Sequence, residues 1–221
     1  MQDTAVPDTS RLPIGVFDSG VGGLTVLRAL LARLPGEDFL YLGDTARLPY
    51  GTKSPGTVTN YALQCAHLLA ARGIKMLVVA CNTASAAALP ALRAAFPELE
   101  VVGVVEPGAR AGCRATANRS IGVVATEATV SGGAYQRAIL ELCPSMRIEA
   151  QACALFVALA EEGWTGGEVV RAVARRYLEP LFARFDEGAP DSLVLGCTHF
   201  PVLAGAIAEV AADLAGSPVA V

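Results

Sequence analysis

The chain has 221 residues, 53% of them hydrophobic and 17% charged, with a formal net charge of −4. That length and apolar content support a sizeable core in one large or two small domains, while the acidic balance and the lack of a basic cluster argue against nucleic acid or an anionic membrane as partner. No apolar run reaches the roughly 18 residues of a spanning helix, residues 1–13 lack the apolar centre of a signal peptide, and six cysteines without C-x-x-C spacing argue against a metal site or disulfide framework and for reduced thiols in a cytoplasmic protein.

Behind a polar N-terminal tail, residues 14–17 (Ile-Gly-Val-Phe) read as a buried strand running into Asp18-Ser19-Gly20-Val21-Gly22-Gly23. Leu27, Leu30, Leu31 and Leu34 then recur at helical spacing until Pro35-Gly36 stops them. The loop is G-x-G-G, a poor match to the dinucleotide fingerprint; its glycines suit a tight bend that presents N–H groups to an anion at a helix start. A second strand at 39–42 leads into a long irregular loop, 43–54, of the kind that often carries function. Ser54 and Pro55 then read as cap and first residue of a helix whose inner face is Val58, Tyr61, Cys65 and Leu68. His67, alone on that helix, is given no role.

A third strand over 74–80 ends at Cys81-Asn82-Thr83, followed by an Ala-rich helix over 84–95 and a fourth strand at 101–105 before Glu106-Pro107-Gly108. The alternation of strand and helix implies an α/β fold with parallel, doubly wound sheets. The pattern then restarts: residues 121–125 repeat the Ile-Gly-Val of residue 14 onward, and Thr126, Thr129 and Ser131 supply hydroxyls where the first half has Asp18 and Ser19. A helix over 131–143, a strand over 148–152, helices over 156–162 and 165–185, a strand at 193–195 and a last helix over 202–215 complete the reading.

Cys197, in Gly196-Cys197-Thr198-His199-Phe200-Pro201, follows its strand as Cys81 follows its own. Offsets of 107 residues (Ile14 to Ile121) and 116 residues (Cys81 to Cys197) fit two related halves. Ligands of open α/β sheets bind at the carboxyl ends of the strands, so the two thiols are expected to flank one ligand in the cleft between two pseudo-symmetric domains. Residues 1–104 form the first domain and 105–205 the second, with 206–221 expected to return to the first.

Five stretches, Phe17-Asp18-Ser19-Gly20-Val21-Gly22-Gly23, the Gly43-to-Gly51 segment with Asp44, Arg47, Pro49 and Tyr50, Ala80-Cys81-Asn82-Thr83-Ala84, the Thr126-to-Tyr135 segment and Gly196 through Pro201, together resemble the bacterial glutamate racemase family. The resemblance implies a cofactor-independent racemase of two α/β domains acting on glutamate, with Cys81 working on the D and Cys197 on the L enantiomer. It implies substrate contacts from Asp18 and Ser19, Tyr50 and Gly51, Asn82 and Thr83, and Thr198 and His199, with Pro49, Thr126 and Thr129 added from the matching segments. It also implies help for Cys197 from Glu161 or its neighbour Glu162, a role in making D-glutamate for peptidoglycan, and a homodimer.

The sequence departs from the family at Ala154 and Ala158, where relatives often carry proline, and it stops at Val221 inside what reads as a final strand. A truncated sequence is expected from this, with exposed apolar surface and low stability.

The chemistry explains the residue types. Racemisation removes a weakly acidic Cα proton from one face and returns one to the other, so two groups are needed, one starting deprotonated and one protonated. Thiols suit because they are neutral when protonated and their surroundings can lower their pKa. Asp18 is expected to orient or activate Cys81, and His199 with Glu161 or Glu162 to do so for Cys197. No lysine motif or dinucleotide loop points to pyridoxal phosphate or a nicotinamide, and Arg47 is the only arginine near the motif loops; uncharged donors such as Ser19, Asn82, Thr83 and Thr198 are therefore expected to hold the carboxylates. An aspartate or hydantoin racemase, and a non-catalytic amino-acid-binding protein, are the alternatives.

Overall fold

The computed structural model describes residues 9–221; residues 1–8, most of the stretch read as a polar tail and not as a signal peptide, lie outside the described residues. In the first half, β1 (Ile14–Asp18), β2 (Phe39–Gly43), β3 (Met76–Val79) and β4 (Glu100–Gly103) form a parallel sheet in the order β2-β1-β3-β4. They are joined by α1 (Leu24–Arg33), α2 (Pro55–Ala70) and α3 (Asn82–Ala95). Ser54 accepts the Thr57 N–H and Pro55 opens α2, as a capped helix start requires.

The second half contains α4 (Val105–Ala115), β5 (Ser120–Ala125), α5 (Glu127–Ser131), α6 (Ala134–Leu142), β6 (Arg147–Ala152), α7 (Ala154–Glu161), α8 (Glu168–Phe182), β7 (Ser192–Gly196) and α9 (Ala204–Ala215). Its parallel sheet has the order β6-β5-β7. The repeat seen in sequence is therefore also one of topology: β1 and β5 are flanked alike, and Cys81 and Cys197 follow the matching strands β3 and β7.

Each half buries its own apolar interior. Phe17, Val58, Leu69, Leu77 and Leu92 pack in the first; Phe156, Leu178, Leu181, Phe200 and Ile207 in the second. The Phe156 and Phe200 rings meet edge to face, with centroids 5.2 Å apart. That contact ties α7 to the 3₁₀ turn Phe200–Leu203 just beyond Cys197. Among the described residues no helix is long and apolar enough to cross a membrane.

Several expectations need correction. The stretch expected to return to the first half, 206–221, packs on the second instead. Ala206, Ile207, Val210 and Val219 share the core of Leu178 and Phe200, Arg171 and Arg175 of α8 pair with Glu209 and Asp213 of α9, and the Leu193 N–H donates to the Ala220 carbonyl at 2.7 Å. The apolar face of α9 finds its partner on the neighbouring helix, and the chain end extends the sheet beside β7. Val105, read as the end of the fourth strand, instead opens α4, which tolerates Pro107 because it falls in the first turn, where its missing N–H costs no bond. The helix foreseen over 131–143 is split at Gly132-Gly133, Gly133 taking a φ of 63° that favours glycine. On α2 the buried face runs through Val58, Ala62, Cys65 and Leu69, and Leu68 is exposed.

Candidate active site

The strand ends of the two halves meet in a small cavity with about 30 Å³ of room, lined by Ser19, Cys81, Asn82, Thr83, Thr126, Glu161, Cys197, Thr198 and His199, and by the segment from Leu48 to Gly51. Both thiols thus reach one enclosed space from opposite halves. Asp18 lies fully buried behind it. Thr129 is set back one layer, where it bonds Thr83 and Thr126.

Cys81 is the N-cap of α3. Its sulfur accepts the Ala84 N–H at 3.4 Å and its S–H donates to Ser19 Oγ at 3.4 Å. Helix starts favour a thiolate, yet complete burial and the charge of Asp18 push Cys81 up to about 11, against the pull of Ser19 and of the Ala84 N–H. Cys197 is pushed up to about 12 by burial and by the charges of Cys81 and Asp18, against the N–H groups of His199 and Phe200. These surroundings do not lower the thiols: burial and the nearby charge of Asp18 hold both neutral.

The ring of His199 lies between Cys197 and a carboxylate. Its Nδ1 is 3.7 Å from Cys197 Sγ, and its Nε2 is hydrogen-bonded to Glu161 at the end of α7. Glu161, not Glu162, makes this contact. Asp18 makes no hydrogen bond to Cys81; its carboxylate accepts from the Gly20 N–H at 3.0 Å and from Thr198 Oγ1 at 3.3 Å. Burial pushes Asp18 above the usual carboxylate range, opposed by the N–H groups of Gly23 and Gly20, the charge of His199 and the Thr198 hydroxyl.

The glycine loop after β1 serves close approach. A Cβ on Gly22 would lie 2.6 Å from Thr198 Oγ1 and 2.9 Å from His199 Nδ1, so only a bare backbone lets this loop of the first half touch the residues beside Cys197. The halves also meet at three hydroxyls: Thr83 lies 3.0 Å from Thr126 and 3.3 Å from Thr129, which are 3.0 Å apart. Gly51 is pressed on Thr126, where an added Cβ would come within 2.5 Å of the Thr126 Cβ.

Arg47 does not line the cavity. Its guanidinium bonds Asp44 at 2.7 Å and Gln64 at 2.5 Å and sits over the Tyr61 ring. Asp44 also accepts from the Tyr50 hydroxyl and so braces the Leu48-to-Gly51 wall. Leu48, Val157 and Tyr135, which bonds Asn82, were not singled out from sequence. Leu48 and Val157 are apolar wall residues with no chemical signature; Tyr135 ended a matched segment and so had a signal. Among the described residues no group of three or more His, Cys, Asp and Glu side chains could hold a metal ion.

The chain as a whole is matched by known proteins. Residues 14–220 match the family model described as Asp/Glu/Hydantoin racemase. The chain belongs to that racemase family. A glutamate racemase of Geobacter metallireducens is 54% identical over 196 residues, which span 89% of this chain and 71% of that relative. Among solved structures, the glutamate racemase of Francisella tularensis in complex with D-glutamate superposes with a TM-score of 0.84 at 36% identity, covering 96% of this chain and 76% of that one. The Thermus thermophilus glutamate racemase in complex with beta-chloro-D-alanine gives 0.80 at 48% identity, covering 95% and 75%. The α/β fold of two parallel sheets is thus that of the glutamate racemases within this racemase family.

Proposed function

We propose that this protein is a glutamate racemase that interconverts L- and D-glutamate by two-base proton transfer between Cys81 and Cys197, without a cofactor. The observation that carries the reading is that two thiols, on matching strand ends of two halves, line one cavity. One sulfur, as thiolate, takes the Cα proton from its face while the other, as thiol, donates to the opposite face. Cys81 is the base toward D-glutamate and Cys197 toward L-glutamate, the two exchanging roles with the direction of turnover.

The surroundings fit these roles. Two thiolates facing one cavity, beside Asp18, are electrostatically disfavoured, which keeps one sulfur protonated while the other acts as base. The substrate's ammonium brings a positive charge beside the sulfurs and so eases thiol ionisation on binding. Asp18 raises the basicity of the Cys81 thiolate; His199, held by Glu161, serves Cys197. Carboxylate charge, which grows as the carbanion forms, is met by Ser19, Asn82, Thr83, Thr198 and N–H groups of the loops, including those of Tyr50 and Gly51.

The D-glutamate formed goes to peptidoglycan, and the protein works in the cytoplasm, where its six free thiols stay reduced. It acts as a homodimer, for which exposed Leu24 and Leu31 on α1 offer apolar surface. The test is circular dichroism of L- and of D-glutamate solutions incubated with the protein. Both signals are expected to decay to zero; a flat trace from both, or turnover of aspartate or a hydantoin in place of glutamate, overturns the reading.

A further inference from the structure

Tyr135, near the start of α6, is 2% exposed, and its ring is gripped from two sides. A Cβ on Gly108 of α4 would lie 3.0 Å from the Tyr135 hydroxyl oxygen, and one on Gly196, next to Cys197, 2.9 Å from its Cε2. Across the cleft, that hydroxyl donates to Asn82 Oδ1 at 2.6 Å. Asn82 follows Cys81 directly in the first half and lines the cavity. Tyr135 therefore joins the residue beside one thiol to the residue before the other.

The direction of this bond matters. Burial, and then the charge of Cys197, pushes the phenol far above its ordinary range, so it stays protonated and donates. An asparagine amide has one acceptor oxygen and two N–H donors on opposite arms of a planar fork. With the oxygen occupied by Tyr135, the NH₂ arm is left for whatever enters the cavity, and among the described residues it has no protein acceptor. A flipped amide would present its oxygen to an anion in place of its N–H donors.

We infer that Tyr135 is a positioning residue: it fixes the Asn82 amide so that its N–H donors face the carboxylate of the amino acid bound between the two thiols. The inference deepens the glutamate racemase reading and rests on it. Tyr135 carries no proton in the reaction; it removes the wrong orientation of a donor before the substrate arrives.

The test compares Tyr135→Phe, Asn82→Ala and the double variant with the wild-type chain in the dichroism assay, with melting curves for each. Tyr135→Phe keeps the packed ring and is expected to raise KM for both enantiomers about tenfold with kcat within about threefold. In the Asn82→Ala background the same change is expected to add nothing. A merely structural tyrosine would lower kcat through loss of folded protein and leave KM unmoved. An unchanged KM in Tyr135→Phe, an undiminished effect in the Asn82→Ala background, or a shifted pH profile of kcat/KM overturns the inference while the wild type still racemises glutamate. A wild type inactive on both enantiomers brings down the racemase reading and this inference with it.

Discussion

Thr198 donates its hydroxyl to Asp18 at 3.3 Å, so the residue next to the second thiol is bonded to the carboxylate whose charge acts on the first. Both partners are buried. Replacing Thr198 by the isosteric valine removes the donor and leaves a buried carboxylate oxygen short of one bond, at a cost of about 1–3 kcal/mol. Thermal or urea unfolding of Thr198→Val should show that loss, together with a fall in kcat; a variant as stable and as active as the wild type would contradict it.

Single replacement of either sulfur separates the two half-reactions. Cys81→Ser and Cys197→Ser are each expected to lower racemisation by at least about 10²–10⁴-fold, the range of a lost acid or base. In deuterium oxide Cys81→Ser should still wash the Cα hydrogen out of L-glutamate, through Cys197, and Cys197→Ser out of D-glutamate, through Cys81. Proton NMR of the recovered amino acid reads the result, and normal turnover by either variant would exclude two-base transfer.

Alkaline pH should destabilise the fold through the same sulfurs. Burial pushes Cys81 up to about 11 and Cys197 up to about 12 in the folded chain, above an ordinary thiol near 8.5. The folded state therefore holds these protons more tightly than the unfolded state. The associated stability is fully present below the unfolded value, declines as pH rises past it, and is gone once pH passes the folded values. Melting temperatures of the wild type and of Cys81→Ser/Cys197→Ser measured from pH 7 to 11 should show a steeper alkaline fall for the wild type; parallel curves would contradict the shifts.

Gly22→Ala tests the close approach of the glycine loop to Thr198 and His199. The added methyl must displace one of them, and misplacement of about 1 Å near the chemistry can cost about 10²-fold in rate. We expect a loss in kcat of that order with the far-UV spectrum intact. Gly56→Ala, where an added Cβ meets nothing within 4 Å, is the control: it lies in helix α2 and should gain about 0.5–1 kcal/mol. Equal activity of Gly22→Ala and Gly56→Ala would show that the contact does not matter.

Local pattern was enough for the strand and helix alternation and for the placing of Cys81 and Cys197 at matching strand ends, because an apolar run, a small residue and a polar tip are all adjacent in sequence. It was not enough for α4, whose first residue, Val105, reads as the end of the fourth strand, nor for the stretch from residue 206 on, whose partner surface on α8 lies outside any local window. Cross-cleft contacts are the least legible. Tyr135 and Asn82 are 53 residues apart, and Asp18 and Thr198 180 apart, so no spacing rule could pair them. The raised thiols are likewise a property of enclosure, which no motif encodes.

Thr83 of the first half meets Thr126 of the second at 3.0 Å, Gly51 is pressed on the same threonine, and Gly22 rests against Thr198 and His199. Each half therefore carries one sulfur and part of the other half's seat, and a substitution anywhere along this seam would be felt on both sides of the cavity at once.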